Sequence, residues 1–122
     1  MRTTTSISTA REYFDALRTV APISRLRDAE GTWEFEIDGA GSWAVRVDHG
    51  RLEVVDGVVP DPTARFRFTE PEFVRLATGE GHENLITAAI RGAMLDFDGD
   101  IRFAQKAQCF IPLAENFERR PA

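Results

Sequence analysis

The stretch that decides the fold runs Trp33-Glu34-Phe35-Glu36-Ile37-Asp38-Gly39-Ala40-Gly41-Ser42-Trp43-Ala44-Val45-Arg46-Val47. Trp33, Phe35 and Ile37 alternate with Glu34 and Glu36, and a period of two with one apolar and one charged side marks a half-buried strand. Asp38-Gly39-Ala40-Gly41 reads as a turn, after which Trp43, Val45 and Val47 repeat the alternation against Ala44 and Arg46. Two strands joined by a glycine turn form a hairpin. His49-Gly50 makes the next turn, and Leu52 and Val54 between Arg51 and Glu53 give a third strand. Residues 56–62 hold too many turn formers for a central strand. Phe66 and Phe68, alternating with Arg65 and Arg67, make a fourth. One charged face per strand predicts a sheet covered on one side only.

Helical signals flank this block. Thr9-Ala10-Arg11-Glu12 has the spacing of a capping box, and Ala10, Phe14, Leu17 and Ala21 follow at helical intervals until Pro22. Thr69-Glu70-Pro71-Glu72 repeats that spacing ahead of Phe73, Leu76 and Ala77, and Gly79 ends the segment. A further short helix is expected with Leu85, Ile86, Ala89 and Ile90 inward and Gly92 as its C-cap. Ala93, Leu95 and Phe97 alternate with Met94 and Asp96 as a fifth strand. A last helix from about Asp100 carries Phe103, Ala104, Ala107, Phe110 and Ile111 on one face, with Leu113 and Phe117 continuing the strip beyond Pro112. Helix, four strands, two helices, strand, helix is an α+β order, with helices on one face of a mainly antiparallel sheet.

The 122 residues are expected to form one domain, with residues 1–7 frayed or disordered. A composition 43% hydrophobic and 29% charged suits a globular chain. The net charge of −5 repels phosphate backbones, which argues against nucleic acid as a partner. Cys109 stands alone, excluding an internal disulfide and any multi-cysteine zinc site. No apolar run approaches a membrane span or a secretory signal, so a cytoplasmic location is expected.

Candidate chemistry is sparse. Gly39-Ala40-Gly41-Ser42-Trp43-Ala44 fits a dinucleotide fingerprint, yet a strand pattern follows where the pyrophosphate needs a helix N-terminus. Asp96-Phe97-Asp98-Gly99-Asp100 has calcium-loop spacing but lacks the glycine and glutamate at their required positions. Asp96 and Asp98 are then exposed strand residues, and Asp100 is a helix cap. His49 falls in a turn. His82-Glu83 could form an acid–base pair, and with Asp100 these are the weak catalytic candidates. Cys109 falls among Phe103, Phe110 and Ile111, as a buried, inert thiol would. No metal site and no cofactor is expected.

From Trp33 to Leu113 the chain resembles the sterol carrier protein type 2 domain family. The tryptophan strands Trp33 to Asp48 carry the first part of the likeness. The segment Thr69-Glu70-Pro71-Glu72-Phe73-Val74-Arg75-Leu76-Ala77-Thr78-Gly79 carries the second. Ala88-Ala89-Ile90-Arg91-Gly92 and then Leu95-Asp96-Phe97-Asp98-Gly99-Asp100, leading into the last helix, complete it. The resemblance implies a five-stranded sheet with an apolar tunnel between it and the helices. It implies a sterol, fatty acyl or phospholipid-like ligand bound without covalent change. His82-Glu83-Asn84 stands where the family commonly has Asn or Asp before Pro. The fifteen cations, all but Lys106 arginine, form no sequence cluster that would hold a CoA phosphate.

The expected function is therefore carriage of a hydrophobic small molecule. The inward residues assigned to it are Phe35, Phe66, Phe68, Phe73, Leu76, Leu85, Ile86, Ile90, Phe97, Phe103, Ala107 and Phe110. The alternatives are a biosynthetic cyclase or isomerase using the same cavity, and an interaction module with an exposed apolar groove.

Overall fold

A computed structural model describes residues 7–20, 22–80 and 84–111. Its elements are α1 (Ala10–Leu17), β1 (Glu30–Asp38), β2 (Gly41–Asp48), β3 (Arg51–Asp56), β4 (Ala64–Thr69), α2 (Glu70–Thr78), α3 (Leu85–Arg91), β5 (Met94–Gly99) and α4 (Ile101–Gln105). Short 3-10 turns add Ser24–Leu26 and Lys106–Cys109. The five strands form one sheet in the order β3-β2-β1-β4-β5. Only β1 and β4 run parallel; the other neighbours are antiparallel. Element types and order agree with the α+β reading.

The inner face is aromatic. Trp33, Phe35 and Ile37 of β1 and Phe66 and Phe68 of β4 are all fully buried. Phe14 of α1 locks the layers together, stacking on Trp43 at 4.9 Å and on Phe73 of α2 at 5.4 Å. Trp33 stacks on Phe103 of α4 at 4.3 Å and donates its indole N–H to the Phe103 carbonyl at 2.8 Å. The Thr9–Glu12 capping box forms as the spacing predicts. Ile7, grouped by sequence with the frayed end, packs partly buried against this core.

Four local expectations are corrected. α1 stops at Leu17 rather than reaching Ala21. The Thr19 hydroxyl donates to the Ala16 carbonyl, and Val20 turns back into the core. Thr69 occupies the N-cap of α2 but its side chain makes no cap hydrogen bond, while Glu72, the other half of the expected box, pairs with Arg91. The outer face of the sheet is not wholly open: Glu34 is 2% exposed and Ala44 is fully buried. The β3–β4 connector must recross β2 and β1, and it does so here, with Val59 N–H donating to Glu34 Oε1 at 3.1 Å. Arg65 holds the other Glu34 oxygen at 2.9 Å.

The fourth correction shapes the site. Phe66 pairs with Phe97 and Arg67 with Asp96, but Phe68 pairs with Met94. Leu95 is thus an extra residue, a bulge that reverses the alternation behind it. Met94 and Phe97 are half-buried, whereas Leu95 is 47% exposed.

Tyr13 gives a pH signature. Its hydroxyl donates to the Phe110 carbonyl at 2.8 Å, and burial pushes the phenol well above its ordinary value of 10.0. The folded state therefore keeps the proton that the unfolded chain releases. The increment is intact below pH 10 and is lost as pH rises from there towards the folded value. Tyr13 is the only tyrosine, so tyrosinate absorbance should appear in step with unfolding in an alkaline titration. Ionisation well before unfolding would show that the phenol is accessible. Tyr13→Phe should lower stability by about 1–2 kcal/mol, through the carbonyl left without a donor.

Candidate functional site

An apolar pocket of about 270 Å³ opens between α3, α4 and the β4–β5 end of the sheet. Phe66 and Phe97, paired across β4 and β5, form part of its wall, with Met94 on the same side by virtue of the bulge. α3 contributes Leu85, Ile86, Ala89 and Ile90; α4 contributes Ile101, Ala104 and Gln105. The Gln105 amide is the one polar side-chain group among them. Local signals place both helices. Asn84 and Thr87 form a reciprocal cap at the start of α3, and Gly92 closes it in the left-handed conformation. Asp100 accepts from the Arg102 and Phe103 backbone N–H groups at 2.9 and 3.2 Å and so fixes the first turn of α4.

Of the residues assigned to the ligand from sequence, Phe66, Leu85, Ile86, Ile90 and Phe97 come together on this pocket. Phe35, Phe68, Phe73, Leu76, Phe103, Ala107 and Phe110 fill the packed core instead, each nearly or wholly buried. Inward burial is corrected for two members of the set: Ile86 is 42% and Ile90 81% exposed, and with Ile101 at 58% they rim the pocket. Leu85 and Ala88 are the buried positions of α3. Ala89, Met94, Ile101, Ala104 and Gln105 line the pocket without having been assigned to the ligand, and Ala89, expected inward, is exposed on its helix. Ile101 carried a usable signal, being a branched apolar residue outside the stripe of Phe103, Ala104 and Ala107 read as the inner face of its helix.

The described polar candidates are engaged elsewhere. Asp100 is engaged as a cap. His82 and Glu83 lie outside the described residues, as do Leu113 and Phe117. Asp96 and Asp98 are exposed on β5, and the Gly39–Gly41 turn joins two strands with no helix behind it. Cys109 is half-buried and unpaired with another cysteine. Glu30, Asp48 and the exposed His49 bring one donor atom each within 4.8 Å of one another at the surface. No described helix is long and apolar enough to cross a membrane.

Comparison with known proteins fits this geometry. A family model, the SCP-2 sterol transfer family, matches residues 15–111. No curated protein matches the chain in sequence. Among solved structures, a double mutant of the sec-alkyl sulfatase PisA1 superposes with a TM-score of 0.67 and 19% identity. That match covers 84% of this chain but only 16% of the sulfatase. A UbiJ-SCP2 ubiquinone synthesis protein gives 0.59 and 16% identity over 86% of this chain and 90% of its own. Sterol Carrier Protein 2 Like 2 from Aedes aegypti gives 0.55 and 21% identity over 80% and 88%. Identities this low speak for the fold.

Proposed function

The chain belongs to the SCP-2 sterol transfer family, and from that premise we propose that it binds and carries a hydrophobic small molecule in the α3–α4 pocket without covalent chemistry. The observation that carries the reading is the pocket's lining, which among the described residues is hydrocarbon and thioether apart from Gln105. Such groups bury an apolar chain at about 25 cal/mol per Å², so ~200 Å² of buried tail contributes about 5 kcal/mol. None of them moves a proton near neutral pH. The volume of about 270 Å³ lies just below the roughly 300–1,000 Å³ of most ligand pockets. It suits an apolar chain or a small ring system, with the remainder of the molecule emerging past Ile86 and Ile90. A tunnel through the layers and a cytoplasmic site of action belong to this proposal. The neighbours named for sterol carriage and ubiquinone synthesis point the same way.

Native mass spectrometry of protein from its own host should reveal a co-purified apolar ligand. Displacement of a neutral fluorescent naphthylamine by long-chain alcohols should be saturable and nearly independent of salt, since apolar burial is not screened. Ala89→Trp should fill the mouth of the pocket and weaken probe binding at least tenfold. Its melting temperature should stay close to the parent's, because Ala89 is exposed on its helix. Undiminished probe binding by Ala89→Trp would place the ligand elsewhere.

A further inference from the structure

Glu30, the first residue of β1, stands directly opposite Asp48, the last residue of β2, in the antiparallel register. Residues paired in this way project from the same face of a sheet, and two like charges so placed repel each other. Among the described residues Glu30 makes no ion pair within 4.0 Å, and neither does Arg51, which faces Asp48 from β3. The group that joins the two carboxylates is an imidazole. His49 Nδ1 lies 2.5 Å from Asp48 Oδ1. One donor atom from each of Glu30, Asp48 and His49 falls within 4.8 Å of the other two.

The backbone fixes where these three side chains start. His49 and Gly50 form the β2–β3 turn with φ of +53° and +91°, the two left-handed residues that a tight hairpin turn requires. The His49 N–H donates to the Ala29 carbonyl at 3.0 Å, which ties the turn to the residue before Glu30. The Gly50 carbonyl accepts from the Ile23 N–H at 2.8 Å. A Cβ on Gly50 would meet the Ile23 carbonyl oxygen at 2.7 Å, so the turn is gripped from that side too.

The donor set has a chemical preference. Two carboxylates neutralise a divalent cation, and calcium or magnesium would be satisfied by oxygen alone. An imidazole nitrogen beside them moves the preference to a first-row ion such as zinc. Tetrahedral zinc, with bonds of about 2.0–2.2 Å, holds its ligand atoms about 3.4 Å apart. Separations of up to 4.8 Å close to that by rotation of exposed side chains, with no movement of the backbone. Three protein ligands leave the fourth position to water. A cation there also removes the repulsion between Glu30 and Asp48.

We propose that Glu30, Asp48 and His49 form a binding site for a zinc-class divalent cation, which clips the start of β1 to the β2–β3 turn. The site is separate from the apolar pocket, with which it shares no residue.

The test is calorimetric titration of the untagged full chain with zinc, calcium and magnesium chloride. Zinc should bind at a single site with micromolar affinity and raise the melting temperature, and the other two should give no saturable heat. His49→Asn should weaken zinc at least tenfold. Asparagine also enters the left-handed conformation, so the metal-free melting temperature should stay close to the parent's. Glu30→Gln should weaken zinc several-fold and, by relieving the like-charge pair, leave the metal-free protein no less stable. His82→Asn and Cys109→Ser, which change the other histidine and the cysteine, should bind zinc as the parent does. Absence of a zinc heat would overturn the proposal. So would zinc binding that survives His49→Asn, above all if His82→Asn or Cys109→Ser removes it. Calcium binding as tightly as zinc would reduce the cluster to an acidic surface and equally overturn the site.

Discussion

Trp33→Ala is expected to lower the unfolding free energy by about 4 kcal/mol, a large share of the roughly 5–15 kcal/mol that a domain possesses. Trp33 is fully buried at the centre of the sheet. It stacks on Phe103 and meets Phe110 edge-on at 5.0 Å. Its indole N–H is the donor to the Phe103 carbonyl inside α4. Truncation removes the ring, opens a cavity that rigid neighbours on β1 and β4 cannot close, and leaves that carbonyl without its partner. Because α4 supplies Ile101, Ala104 and Gln105 to the pocket, probe binding should weaken along with stability. Urea unfolding followed by the fluorescence of the remaining Trp43 would measure the loss. Trp33→Phe, which keeps most of the packing and drops the N–H, should cost about 1–2 kcal/mol. A loss below ~1 kcal/mol for the alanine variant would mean that α4 is not held by this ring.

Gly99→Ala should be nearly as damaging, at about 3 kcal/mol or more, although it adds a single methyl group. Gly99 has φ +116°, and a Cβ there would run into the Thr63 carbonyl and lie 2.8 Å from Ala64 Cα. Both are backbone atoms of the neighbouring chain segment, so the clash cannot be relieved by a rotamer change. The Thr63 carbonyl also accepts from Asp100 N–H at 3.0 Å. Displacing it moves the residue whose carboxylate caps α4. The control is Gly57→Ala. Gly57 has φ +95° but nothing within 4 Å of the added Cβ, so only the conformational cost of about 1–2 kcal/mol remains. Equal losses for the two variants, measured by thermal or urea unfolding, would show that β4 and β5 can separate at this point.

By itself, the sequence determined the elements and their order. Alternation in Trp33-Glu34-Phe35-Glu36-Ile37 and the caps at Thr9 and Asp100 are local physics. A period of two or a reciprocal hydrogen bond over three residues needs no knowledge of distant chain. The resemblance carried by the ordered motifs reached further and pointed to the family. Which apolar residues would be core and which would face a cavity was decided by the tertiary structure. In α3 five of seven residues are apolar, and periodicity cannot tell the side covered by the sheet, Leu85 and Ala88, from the side left open, Ile86 and Ile90. In β5 one bulged residue, Leu95, shifts Met94 to the inner face, an offset set by pairing with β4. The surface hollow that Arg25, Arg102 and Lys106 line between the turns Ser24–Leu26 and Lys106–Cys109 was equally invisible, because it arises only where two turns far apart in sequence pack together. Periodicity reports that a side chain is apolar or charged; what lies opposite it is a property of the packed layers.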